Sequence, residues 1–127
     1  MAIEFNIQDR ELADGIPVIA VAGEIDLFTA PEFKRRVQKG LDRDGQRMVV
    51  DLTETTFIDS SSLGVLIGAH RRLAARERSL VVVAPSPVVR KTLRITGLDG
   101  LFQVVNTLDV VPVEDGERLH VHLRYAA

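Results

Sequence analysis

Two short runs, RMVVDL (Arg47 to Leu52) and LVVVA (Leu80 to Ala84), are apolar at consecutive positions and rich in valine. Strands that are apolar without alternation are buried on both faces, the usual state of a parallel sheet covered by helices. The segment between them carries Leu63, Leu66, Ile67, His70 and Leu73 on one helical face. The stretch before them, FTAPEFKRRVQKGLDRDG, repeats the pattern with Phe33, Val37 and Leu41. Thr29 is placed to cap it, Pro31 suits its first turn and Gly45 can end it. In SPVVRKTLRITG, Ser86 and Pro87 open a third helix and Gly97 closes it, before LFQVV (Leu101 to Val105) as a last strand.

At the N-terminus IEFNI (Ile3 to Ile7) alternates apolar and polar residues, Asp14-Gly15 is a turn signal, and IPVIAVAG follows. These segments predict an antiparallel opening hairpin, with Pro17 at an edge or rim. The order β-β-α-β-α-β-α-β implies crossover connections and a single α/β domain: a mixed sheet of about four to six strands with helices packed on it. The tail, residues 111 to 127, is different. Pro112 argues against a long helix there. Leu119, Val121, Leu123 and Tyr125 alternate with His120, His122 and Arg124, as in a strand added to a sheet edge or to a partner.

Composition narrows the function. The chain has 127 residues, 46% of them hydrophobic and 27% charged, the balance of a globular protein with a real core. A net charge of −2 gives no pull towards nucleic acid or an anionic membrane. The absence of cysteine excludes disulfides and thiolate chemistry. No apolar run approaches the ~20 residues that span a bilayer. The N-terminus MAIEFNIQDR lacks the basic start and apolar block of a signal peptide, so a cytoplasmic protein is expected.

The most informative stretch is TTFIDSSSLGVLIGAH, Thr55 to His70. Phe57 and Ile58 follow the turn-like Glu54-Thr55-Thr56, and Asp59-Ser60-Ser61-Ser62 stand where the second helix begins. The first turn of a helix leaves backbone N–H groups without partners, and aspartate and serine oxygens satisfy them. These four residues can therefore be a simple cap. The same end of a helix also accepts an anion, so an exposed serine there suits modification by another protein. It suits a nucleophile less well. There is no G-x-S-x-G elbow, His70 lies about three turns along the helix, and His120 and His122 belong to the tail.

Three segments together resemble the bacterial anti-sigma factor antagonist family, built on the STAS domain. GEIDLFTAPEFKRRV from Gly23 is similar to the family's G-E-[LI]-D segment and first helix. VVDLTETTFIDSSSLGVLIGAHRRL from Val49 is similar to its strand, F-[ILM]-D-S-S-G-L-G turn and second helix. SPVVRKTLRITGLDGLFQVV from Ser86 is similar to its third. The match runs in one register over residues 3 to 110, within a single domain of residues 1 to 127. The resemblance implies that Ser60 is a phosphoacceptor, that Asp26 lies close to it, and that the protein is not itself an enzyme. It implies a partner: an anti-sigma factor that is a serine kinase of the histidine-kinase-like ATPase fold. That partner binds the unphosphorylated form, which frees a sigma factor. A metal-dependent serine phosphatase resets the switch. The expected contact surface is Asp26, Leu27, Phe28, Thr29, Asp59, Ser60, Ser61, Ser62 and Leu63, on a monomer or weak dimer. Leu27 and Phe28 either supply apolar contact or lie buried under the first helix.

The chain departs from the family at Ser62, where the motif has glycine. That change can restrict a kinase's approach and makes Ser61 and Ser62 rival acceptors. The atypical tail is the second departure. Two rival functions stand beside this one: a non-switching STAS module, acting as a scaffold or as an accessory to a transporter, and a small serine hydrolase using Ser60. Glu24, Asp26 and Asp59 lack the fuller spacing of a metal site. His120 and His122 fit surface positions better than ligands. Arg71, Arg72, Arg76 and Arg78 suit a solvated helix end better than a docking surface for an acidic partner. No phosphate-binding glycine motif is present, so no cofactor is expected.

Overall fold

The computed structural model describes residues 3–12, 15–43, 45 and 47–108. In chain order these form β1 (Asn6–Glu11), β2 (Pro17–Ile25), α1 (Ala30–Leu41), β3 (Arg47–Ile58), α2 (Ser60–Ala74), β4 (Ser79–Val83), α3 (Pro87–Ile95), a 3₁₀ turn (Leu98–Gly100) and β5 (Gln103–Val105). The sheet order is β1-β2-β3-β4-β5, with β1 antiparallel to β2 and every later pair parallel. Each crossover steps to the next strand in the same direction, which places the three helices on one face. Phe33, Val37, Leu66, Leu73, Val89 and Leu93 of those helices pack with Val21, Met48, Val50, Leu80 and Val82 of the sheet. The intervening strand residues Val18, Val49, Val81 and Val83 point to the other face and are just as buried. Burial on both faces explains the unbroken valine runs.

Several boundaries differ from the sequence expectation. β1 begins at Asn6 rather than Ile3, although Phe5 and Ile7 still pack against the core. α1 ends at Leu41, so Gly45 follows the helix rather than ending it. β5 starts at Gln103, after the 3₁₀ turn takes up Leu98 to Gly100. Thr29 and Ser86 occupy the expected cap positions, but neither side chain makes the capping hydrogen bond. Gly97, at φ 77°, does take the left-handed backbone after α3. His70 is half-buried at the rim of α2, its ring 6.2 Å from that of Phe102. Asp14 of the hairpin turn and the tail residues Pro112 and Leu119 to Tyr125, with His120 and His122, lie outside the described residues.

The largest difference is at Glu54-Thr55-Thr56, which form no turn. β3 continues through them to Ile58 for 12 residues. The long β2 supplies the partner, pairing Gly23 with Thr55 and Ile25 with Ile58. Thr55 is buried, and its hydroxyl donates to the Val21 carbonyl at 2.8 Å. β3 carries one extra residue between the Ala20 and Ala22 pairings and another between those of Gly23 and Glu24. Such bulges bend a strand and increase its twist, and these lie just before the serine cluster. Gly23 permits the close approach of the N-terminal segment. Its φ is 87°, and a Cβ there would sit 2.9 Å from the Ile3 carbonyl oxygen and from the Phe5 backbone.

Candidate functional site

β2 and β3 end side by side, with Ile25 paired to Ile58. The next residue of each strand is an aspartate, Asp26 or Asp59. Neighbouring strands lie about 4.8 Å apart, so the register sets these two carboxylate-bearing positions next to one another. Ser60 follows directly as the first residue of α2.

Asp26 organises the connection to α1. Its Oδ1 accepts from the Phe28 N–H at 2.9 Å and from the Thr29 N–H at 3.0 Å. The Thr29 hydroxyl donates to the Glu24 carbonyl at 3.0 Å and accepts from the Asp26 N–H at 2.9 Å. Thr29 therefore ties the end of β2 to the turn instead of capping the helix. The N–H groups donated to Asp26, Thr29's foremost, hold its carboxyl below the ordinary value of 3.8, so it is ionised at neutral pH. The same bonds leave Leu27 and Phe28 no inward path. They are 68% and 88% exposed, which settles the choice between burial and surface.

Asp59 caps α2. Its Oδ1 accepts from the Ser62 N–H at 3.2 Å while its own N–H reaches the Ser62 Oγ at 3.3 Å, a reciprocal capping box. The Ser62 Oγ has one proton, and the short 2.7 Å bond to the Ile25 carbonyl takes it. Ser62 is 0% exposed. The three serines thus have different surroundings. Ser62 is a buried strut between α2 and β2. Ser61 is half-buried. Ser60 is exposed, and its hydroxyl has no hydrogen-bond partner among the described residues. Capping is achieved by Asp59 and Ser62, and Ser60 is left over.

The structure brings Asp26, Leu27, Phe28, Thr29, Asp59, Ser60 and Ser61 to the end of the sheet where the neighbouring strands β2 and β3 finish. It removes Ser62 from the contact surface and from the rival acceptors, because that side chain points inward. For the same reason the serine in place of glycine does not stand in front of Ser60. Leu63 is partly buried and packs against the core. His70 is ten residues beyond Ser60, about 15 Å along the helix, out of reach as a base. Among the described residues no three His, Cys, Asp or Glu side chains are grouped to hold a metal ion. No described helix is long and apolar enough to cross a membrane. Sequence reasoning did not single out Phe57, which is 44% exposed at the end of β3. Nor did it find the Ile25 carbonyl, a backbone acceptor with no sequence signal of its own.

Comparison with known proteins agrees with this architecture. The STAS domain profile matches residues 8–111. The anti-sigma-B factor antagonist of Listeria monocytogenes is 36% identical over 106 residues, covering 84% of this chain and 91% of that one. The anti-sigma-B factor antagonist of Staphylococcus aureus is 31% identical over 87 residues, covering 68% and 80%. The crystal structure of an anti-sigma factor antagonist from Mycobacterium paratuberculosis superposes with a TM-score of 0.74 at 32% identity, over 85% of this chain and 89% of that one. With its sheet order, its strand-end aspartates and these relatives, the chain belongs to the STAS domain family.

Proposed function

We propose that this protein is an anti-sigma factor antagonist whose binding is switched by phosphorylation of Ser60. The observation that carries the proposal is the separation of roles within the serine cluster. Ser62 and Asp59 satisfy the helix start, so Ser60 is exposed, unpartnered and free to be modified without loss of the cap. Its partner is an anti-sigma factor that is also a serine kinase of the histidine-kinase-like ATPase fold. The unphosphorylated site binds that partner, and the bound partner releases its sigma factor. A metal-dependent serine phosphatase restores the hydroxyl. The protein acts in the cytoplasm as a substrate and binding partner, not as an enzyme. Its relatives are anti-sigma-B factor antagonists, which supports the same class of partner here.

Electrostatics supports the direction of the switch. A phosphoryl group adds about −1.5 to −2 charges beside an ionised Asp26 and next to Asp59. In the free protein water screens these charges from one another. A partner that covers these strand ends removes that water, so their repulsion weighs against the complex. One like-charge pair at ~4 Å costs about 4 kcal/mol at an effective dielectric of 20. Half of that already weakens binding more than tenfold.

The test is a paired capture from the native host with Ser60→Ala and Ser60→Glu as baits. A small histidine-kinase-like ATPase should be held by the alanine bait and lost from the glutamate bait. With ATP, that kinase should phosphorylate the wild type once and leave Ser60→Ala unmodified. Equal retention of a scaffold or transporter by both baits would replace the switch with a static STAS module.

A further inference from the structure

β1 is one edge of the sheet, and among the described residues it pairs with β2 alone. β5, the other edge, is three residues long and offers little to pair with. β1 pairs with β2 at all six of its residues, and it carries neither a proline nor a bulge to blunt it. The direction of its free backbone groups follows from the hairpin. The Leu12 N–H donates to the Ile16 carbonyl, so Leu12 and Ile16 form a hydrogen-bonded pair. Such pairs alternate with non-hydrogen-bonded ones along an antiparallel ladder. Asn6, Gln8 and Arg10 therefore bond to β2, while Ile7, Asp9 and Glu11 turn their N–H and C=O groups outward. Pro17 agrees with this phase: it lies opposite Glu11, where the ladder needs no N–H.

α1 reaches over this edge. Arg36 donates from Nη2 to the Ile7 carbonyl at 3.2 Å and from Nε to the Asp9 carboxylate at 3.1 Å, and its Nη1 lies 3.5 Å from that of Glu32. Three anchors fix the guanidinium, and the side chain is only 20% exposed. We infer that Arg36 is a lock on β1, which keeps a second copy of this chain from adding its own β1 to the sheet. Charge selects that occupant's register. Two β1 strands meeting antiparallel about a two-fold axis must set their outward-turned residues against one another. Only two such registers overlap more than half of the strand. Centring on Asp9 puts Asp9 against Asp9, and like charges directly opposite are destabilising. Centring on Gln8 puts Gln8 against Gln8, Ile7 against Asp9 and Asn6 against Arg10, with no like-charged pair. In that register the Ile7 carbonyl accepts from the Asp9 N–H of the other copy. It is the carbonyl that Arg36 occupies, and the two-fold axis makes the obstruction double.

The test is molar mass by light scattering over a concentration series. Arg36→Ala should dimerise about a hundredfold more tightly than the wild type, about tenfold for each of the two locks removed. The chain has no cysteine, so Gln8→Cys reports the register directly. Facing residues of a non-hydrogen-bonded pair have Cα atoms about 4.5 Å apart, within reach of a disulfide. Gln8→Cys should cross-link under mild oxidation in the Arg36→Ala chain and far more slowly with Arg36 present. Asp9→Pro removes the N–H that the added strand needs and spares every bond to β2, so Arg36→Ala/Asp9→Pro should be monomeric. Circular dichroism reports folding. Should Arg36→Ala unfold, Arg36→Lys carries the same test, since it keeps a cation beside Asp9 and lacks the fork. A folded Arg36 variant that dimerises no more tightly than the wild type would overturn the inference. A dimer that survives Asp9→Pro, or that forms without the Gln8→Cys cross-link, would put the contact elsewhere and overturn it equally.

Discussion

Replacing Ser62 by alanine tests the division of labour among the three serines. The variant loses the 2.7 Å bond from the Ser62 Oγ to the Ile25 carbonyl and the acceptor 3.3 Å from the Asp59 N–H. It keeps the bond from the Ser62 N–H to Asp59, and the Asp59 N–H retains its 3.3 Å contact with the Ile25 carbonyl. The net change is one good hydrogen bond to a buried carbonyl and half of a capping box. A buried polar group left poorly satisfied costs about 1–3 kcal/mol, and loss of a cap about 1 kcal/mol. These overlap at this site, so about 2 kcal/mol is expected. Unfolding entropies of about 2.1 cal/mol/K per residue convert that to a fall of roughly 7 °C in melting temperature for a chain of 127 residues. Urea denaturation followed by circular dichroism should show a lower midpoint with the same slope. Ser60→Ala, measured alongside, should stay within about 0.5 kcal/mol of wild type, as an exposed and unbonded side chain does. A Ser62→Ala variant as stable as wild type would refute the strut. A Ser60→Ala variant that loses as much would show that the roles of the two serines had been exchanged.

Three further outcomes are expected. Gly23→Ala should destabilise the protein by about 2–5 kcal/mol, since its backbone is left-handed and the new Cβ meets the Ile3 and Phe5 backbone; chemical denaturation measures it. Glu77→Gly should stabilise it by about 1 kcal/mol in the same assay. Glu77 is the one non-glycine residue at positive φ among the described residues, and it closes a Schellman turn in which its N–H donates to Ala74 and that of Arg78 to Leu73. The Asp26 carboxyl should titrate below 3.8 by carbon-detected NMR. Because its folded value is depressed, its contribution to stability is complete above 3.8 and fades as pH falls through the lower folded value. Asp26→Asn should flatten the pH dependence of stability in that window, and a midpoint at or above 3.8 would contradict the hydrogen bonding of the turn.

Much of this protein is legible in its sequence because the signals are local. Phe33, Val37 and Leu41 announce α1 through their spacing alone, and consecutive valines announce strands covered on both faces. The position of Asp59 and the serines at the start of α2 follows from where the helical period begins. Tertiary structure decided everything that depends on residues far apart in the chain. Glu54 to Thr56 look like a turn, yet they are strand because β2 lies alongside and Val21 accepts from Thr55, 34 residues away. Leu27 and Phe28 have the composition of a core, yet they face water because the N–H groups bonded to Asp26 turn them outward. Three identical side chains in a row cannot be told apart by sequence. They diverge because the Ile25 carbonyl, 37 residues before Ser62, captures that hydroxyl alone and leaves Ser60 in solvent.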